Sequence, residues 1–245
     1  MLEKHVELTL KKAKETVLEL LWPTRCAVCD EPGELICNTC TSNLIPYDPW
    51  LACPRCGAPW GKFQCHLCNS YSAQSMNLPA RDFPKYSAYI FQGGTASIVR
   101  RFKDANEQRL SKLLAAAMAN ALSPELCAQI ELIVYVPCSA ASIQLRGFDQ
   151  MELISADLSE LLHKPALCPF ELPQSYDQRE LNRQERSHNM QHAFQLNSKC
   201  SCLLGKVVLL IDDVITTGAT MNAAGELLYY AGVKQVFGLS YARVV

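Results

Sequence analysis

Along the 245 residues the spacing of apolar positions changes near residue 70. Beyond it, short apolar runs alternate with longer stretches of three-and-four spacing. "YSAYIF" (86–91), "IELIVYVP" (130–137), "VVLLI" (207–211) and "QVFGLSYARV" (235–244) have strand length and are rich in β-branched and aromatic residues. Between them lie helical patterns. "EQRLSKLLAAAMANAL" (107–122) is built from strong helix formers, and "FDQMELISADLSELLH" (148–163) sets Met151, Ile154, Leu158 and Leu161 on one face. "ATMNAAGELLYYAG" (219–232) closes on Gly232. Strands alternating with helices predict parallel βαβ units, an α/β fold with a parallel sheet and helices on both faces. Residues 165–204 follow no regular pattern, hold a Gln/Arg-rich patch and are read as a loop or insertion.

Before residue 70 the pattern is different. Val6, Leu10, Ala13, Val17 and Leu20 recur at helical steps, so 1–22 reads as an amphipathic helix that packs on the following domain. Lys11, Lys12, Lys14, Glu15 and Glu19 interrupt any continuous apolar core of a signal peptide. No run approaches membrane-spanning length, and a cytoplasmic location is expected. After this helix come four Cys-x-x-Cys pairs: Cys26/Cys29, Cys37/Cys40, Cys53/Cys56 and Cys65/Cys68. Two thiolates so spaced grip one side of a tetrahedral zinc ion, and a second pair completes the shell. Nearest pairing gives Cys26, Cys29, Cys37 and Cys40 as one structural zinc site and Cys53, Cys56, Cys65 and Cys68 as the other; an interleaved pairing and the loss of one metal stay open. The segment is too poor in periodic apolar residues to fold around a core, so metal binding would supply its folding energy. His66 is read as a bystander. Trp50, Trp60 and Phe63 suit either base stacking or a small core, and the core reading is favoured. The boundaries that follow are 1–22 for the helix, 23–72 for a double zinc ribbon and 73–245 for the α/β domain.

Charge narrows the partners. With 23 basic and 24 acidic residues the net charge is −1, so no global field attracts nucleic acid. Any such contact must be local. Arg100, Arg101 and Lys103 form one basic cluster, which suits a phosphate or a solvated helix face. His188 and His192 stand four apart without further ligands and are read as surface positions.

The chemistry concentrates in "VVLLIDDVITTGAT" (207–220). Ligands of parallel sheets bind at the carboxyl ends of strands, where Asp212 and Asp213 fall. Thr216, Thr217, Gly218, Ala219 and Thr220 then open a helix, whose converging amides and dipole suit a phosphate dianion. Carboxylates cannot share that phosphate and suit sugar hydroxyls or a Mg²⁺ ion. Together they describe a ribose 5-phosphate. A nucleotide-hydrolase strand is the rival reading, but no G-x-x-x-x-G-K-[ST] loop accompanies it.

This block resembles the phosphoribosyl-pyrophosphate (PRPP) motif of type I phosphoribosyltransferases. With "CPRCGAPW", "IVRRFKD", "VPCSAASIQLRGFDQMELI" and the residues Gln178, Leu181, Arg186 and Asn189, nearly the whole chain resembles the ComF family. The resemblance implies a double zinc ribbon joined to a phosphoribosyltransferase fold, and a role in DNA uptake or use, with single-stranded DNA or DNA-uptake proteins as partners. It implies PRPP with Mg²⁺ as ligand. It assigns Asp212 and Asp213 to the ribose hydroxyls and Mg²⁺, the loop Val214, Thr216, Thr217, Gly218, Ala219 and Thr220 to the 5-phosphate, and Arg146 with Gly147 to pyrophosphate. The segment Cys138–Leu145 departs from the family by lacking its basic residues, which weakens leaving-group stabilisation and leaves catalysis open. The alternative is a non-catalytic nucleotide or single-strand binding module.

Overall fold

The computed structural model describes residues 23–53, 56–63, 65, 83–171 and 194–245. The N-terminal helix assigned to 1–22 and the residues His66, Cys68, His188 and His192 lie outside them. The chain divides into two compact units, Met1–Leu44 and Ile45–Val245.

The described residues of the first unit, 23–44, bury few side chains. Only Cys26, Ala27 and Leu44 are buried between residues 23 and 44. Arg25 and Pro32 form an isolated bridge, and a short helix α1 (Asn38–Ser42) starts after Cys37 and contains Cys40.

Cys53, Cys56 and Cys65 lie near the start of the second unit. The stretch then runs into strand β1 (Lys85–Ile90) and helices α2 (Gly93–Asp104), α3 (Leu110–Asn120) and α4 (Pro124–Gln129). Strand β2 (Leu132–Tyr135), helices α5 (Ala140–Arg146) and α6 (Gln150–Leu162), and the short strand β3 (Ala166–Leu167) come next. A 3₁₀ turn (Ser198–Leu203) leads to β4 (Val207–Ile215), α7 (Ala219–Tyr230) and β5 (Gln235–Arg243). The five strands form one parallel sheet in the order β1-β5-β4-β2-β3.

Strand alternation divides the core. Leu132, Val134, Val208, Leu210 and Val236 join Met221, Ala224 and Leu228 of α7 in one apolar cluster. The intervening positions Ile133, Leu209, Ile211 and Leu239 are buried towards the opposite face. There α3 packs on α6, burying Leu110, Leu114, Ala115 and Met118 against Met151, Ile154 and Leu158. The expected α/β fold, with helices on both faces of a parallel sheet, is what the chain adopts.

Several details differ from the sequence reading. The strand read as 207–211 continues to Ile215, because β5 offers partners for it: Asp212 pairs with Ser240, Val214 with Ala242 and Ile215 with Arg243. The acidic pair therefore lies within β4. The segment after Pro137 is helix α5, started by Ser139, whose hydroxyl accepts the Ser142 amide, and stopped at Gly147. Leu161 is half-exposed, since α6 ends one residue later and its last turn leaves the core. Trp50, Trp60 and Phe63 fill no core: they are 77%, 56% and 93% exposed.

Candidate functional site

At the end of β4 the backbone turns through Thr216 and Thr217, both exposed, to Gly218, the residue that caps α7. Gly218 has φ +82°, a left-handed conformation that glycine adopts without strain. The Thr217 hydroxyl accepts the Ala219 amide at 3.3 Å, and the Gly218 carbonyl accepts the Asn222 amide at 2.8 Å. The first amides of α7 thus open towards the bend, the arrangement that binds anions at helix N-termini. Arg243, at the end of β5 and 1% exposed, lies behind the bend. Its Nη1 is 3.6 Å from the position a Cβ on Gly218 would take. A fixed positive charge thereby backs the loop.

The acidic pair sits at the other side of this bend. Asp213 is buried, and its Oδ2 accepts from the Gln150 side-chain amide at 2.7 Å and lies 2.6 Å from the Lys103 ammonium. The Asp212 Oδ1 accepts the backbone amide of Asp213 at 2.9 Å. Asp212 keeps some access to solvent, yet it is packed deep in the sheet end. That desolvation, and then the neighbouring Asp213 charge, push its carboxyl up from the ordinary aspartate range, against the pull of Lys103 and the Asp213 amide.

Arg146 joins the same network. Its Nη1 donates to the Gln150 Oε1 at 2.5 Å, and its Nη2 is 3.9 Å from Asp104 Oδ1. Asp149 caps α6 by accepting the Met151 and Glu152 amides and also accepts the Cys138 amide at 3.2 Å. So the turn after β2 is tied to the start of α6. Burial and the Asp149 charge push the Cys138 thiol up to about 12, which leaves it unreactive.

The structure brings Asp212, Asp213 and Arg146 into one network. It adds three residues that sequence reasoning did not single out: Gln150, Asp149 and Arg243. It also decides the basic cluster. Lys103 turns into the site, while Arg100 donates to Ser97 on the exposed face of α2. The local basic cluster does not set Lys103 apart from Arg100 and Arg101, because its partner lies 110 positions further along the chain. The S-x-x-S cap at Ser139 and the Asp149 cap before α6 were readable signals.

The cysteines gather in two places. The sulfurs of Cys26, Cys29, Cys37 and Cys40 all lie within 4.8 Å of one another, as do those of Cys53, Cys56 and Cys65. A tetrahedral ion with metal–sulfur bonds of about 2.3 Å holds its sulfurs about 3.8 Å apart. Cys29 and Cys37 are at 3.7 Å and Cys56 and Cys65 at 3.6 Å, so both groups fit such an ion. Burial would raise the Cys26 thiol, but the backbone amides of Cys29, Cys37 and Val28 outweigh it and bring it to about 6, suited to a thiolate ligand. Among the described residues no helix is long and apolar enough to cross a membrane.

Comparison with known proteins agrees with this architecture. Residues 115–238 match the phosphoribosyl transferase domain family, and residues 17–71 match the double zinc ribbon domain family. The competence protein F of Haemophilus influenzae is 29% identical over 84% of this chain and 90% of its own length. The competence protein ComFC of Streptococcus pneumoniae is 27% identical over 85% and 87%. The DNA utilization protein YhgH of Escherichia coli is 28% identical over 87% and 94%. The chain belongs to the phosphoribosyl transferase domain family, and with its added double zinc ribbon it is similar over most of its length to these ComF-type relatives.

Proposed function

We propose that the end of β4 binds PRPP or a related ribose 5-phosphate, and that the protein acts in the cytoplasm in taking up or using DNA. One observation carries the reading. A carboxylate pair, Asp213 buried and Asp212 partly exposed, and an open, glycine-capped helix start stand on either side of a single bend at the carboxyl end of a parallel strand. Amides at the start of α7, with the Thr216 and Thr217 hydroxyls, would hold the 5-phosphate, and Arg243 would hold positive charge behind it. Asp212 and Asp213 would receive the ribose hydroxyls. A Mg²⁺ ion accompanying PRPP would supply charge neutralisation at the pyrophosphate. Arg146 would face the leaving group from the end of α5, a segment whose other side chains are neutral. If the site is catalytic, the reaction is phosphoribosyl transfer, with pyrophosphate leaving C1. The names of the relatives, competence and DNA utilization, support the wider role. The two cysteine groups would each hold a structural zinc ion.

Titration calorimetry with PRPP and Mg²⁺ tests the site. Binding heat is expected from the native chain and none from an Asp212→Asn, Asp213→Asn double variant. Equal heats from both would place the ligand elsewhere. Pyrophosphate release against a panel of nucleobases then separates an enzyme from a binding module.

A second reading has its own observation. Trp50, Trp60 and Phe63 are exposed, and the Lys62 ammonium lies 5.8 Å from the Trp50 ring centre and 5.9 Å from that of Phe63. Exposed rings beside a cation suit stacking on unpaired bases. This favours single-stranded DNA as a partner of the cysteine-rich region.

A further inference from the structure

We infer that Lys103 is a binding residue of the β4 site, its ammonium taking the place at Asp213 that a divalent cation would otherwise fill. It presupposes that this site takes a ribose phosphate, and it concerns how the charge there is balanced. Two adjacent carboxylates repel a polyanionic ligand. The sequence after β2, Cys138–Leu145, offers no basic side chain to offset them. Beside Arg243 behind the bend and Arg146 on Gln150, the charge that touches the acidic pair comes from α2. Lys103 Nζ is 2.6 Å from Asp213 Oδ2, and its side chain is 22% exposed against 9% for that of Asp213.

The same oxygen accepts from Gln150 at 2.7 Å, so both of its lone pairs are engaged. A metal ion could coordinate it only by displacing the ammonium or the amide. Gln150 is itself fixed by Arg146. The ammonium is therefore a built part of the site, held at a buried carboxylate by a three-residue chain of hydrogen bonds. Removing it would leave Asp213 charged, buried and lacking its cation, the condition under which a carboxylate recruits one from solution. The direction follows. The native site should bind a ribose phosphate without added metal and bind metal alone poorly. A site lacking the ammonium should reverse both properties.

Ribose 5-phosphate is the suitable probe, since it has no pyrophosphate to carry Mg²⁺ into the site. Its binding to the native chain, Lys103→Met and Lys103→Arg would be measured by calorimetry in buffer freed of divalent ions on a chelating resin, and again with Mg²⁺. The native chain and Lys103→Arg are expected to bind with less than about twofold dependence on Mg²⁺. Lys103→Met should lose about tenfold or more without metal, the effect of one charge-assisted hydrogen bond, and recover with Mg²⁺. Mn²⁺ alone, followed by electron paramagnetic resonance, should bind Lys103→Met more tightly than the native chain. Adding Asp213→Asn to Lys103→Met should remove that gain. The same Mg²⁺ dependence in native and Lys103→Met chains would overturn the role of Lys103 and leave the ribose phosphate site standing. Failure of ribose 5-phosphate to bind the native chain in either buffer would overturn both.

Discussion

The two cysteine knuckles are built alike and supported differently. In each, the first cysteine amide donates to the carbonyl five residues on, Cys26 to Glu31 and Cys53 to Ala58, both at 2.8 Å. In each, its carbonyl accepts the amide four residues on, from Asp30 at 3.0 Å and Gly57 at 2.9 Å. Asp30 and Gly57 both have positive φ, +65° and +70°. The surroundings diverge. The first knuckle belongs to a unit with three buried residues between 23 and 44. The second is joined to the sheet: Tyr47 donates from its amide to Ala88 O and from its hydroxyl to Gly57 O, and the Ile90 amide donates to Ile45 O. One ligand spacing thus serves two purposes. A metal ion in the first cluster would fold its segment; one in the second would fasten an edge of the sheet domain that has other support.

Metal removal should expose this difference most strongly. Structural zinc contributes about 10–16 kcal/mol of apparent binding energy in small zinc-bound folds. Among residues 23–44 only Cys26, Ala27 and Leu44 are buried. After treatment with a strong chelator, hydrogen exchange should show residues 23–44 unprotected. Tyr47 and Ile90, with their hydrogen bonds to the sheet, should remain protected, and the sheet domain should melt at nearly its original temperature. Equal loss of protection at 26–40 and at 45–53 would break the comparison.

A smaller effect sharpens it. A Cβ on Gly57 would stand 2.9 Å from the Lys85 carbonyl and 3.1 Å from the Lys85 Cβ, in a conformation that itself costs an L residue about 1–2 kcal/mol. Gly57→Ala should therefore destabilise the second unit by about 2–3 kcal/mol, read from denaturant unfolding. The matching change at the first knuckle, Asp30→Gly, removes left-handed strain and loses an exposed 3.4 Å ion pair with Arg25. It should alter stability by less than about 1 kcal/mol. A large cost for Asp30→Gly, or none for Gly57→Ala, would mean that the second turn is no more constrained than the first.

The contrast also shows which parts of the molecule could be read from the chain. Cysteine spacing and strand periodicity are local, so the paired clusters, the parallel sheet and the helix at 219–230 were legible. Contacts made at a distance were not. The extension of β4 through Asp212 to Ile215 depends on partners in β5, and two adjacent carboxylates read locally as a strand end. Helix α2 begins on Gly93 and Gly94, poor helix formers, and gains its stability by burying Ile98, Val99 and Phe102. Lys103 joins the site only because that helix folds over it. Arg243 reads as the last residue of a strand until the fold sets it behind Gly218. The site's anion-binding bend was visible, whereas the positive charges that serve it were supplied by tertiary structure.

The smallest expected effect concerns the aromatic residues beside the second cluster. Exposed rings gain little from folding, because little of their surface leaves water. Trp50 and Phe63 remain 77% and 93% exposed, and their contacts with Lys62 are cation–π distances near the limit of about 6 Å. A Trp50→Ser, Phe63→Ser double variant should change the unfolding free energy by less than about 0.5 kcal/mol per position. Its thiol-bound metal content should be unchanged, because neither side chain is a ligand. If these rings serve a partner, the same variant should lose affinity for single-stranded DNA in a filter or anisotropy assay while its melting curve stays in place. Loss of stability together with metal would show that the rings brace the cluster, and the division between a metal-dependent first knuckle and a sheet-supported second one would then be less sharp than the hydrogen bonds imply.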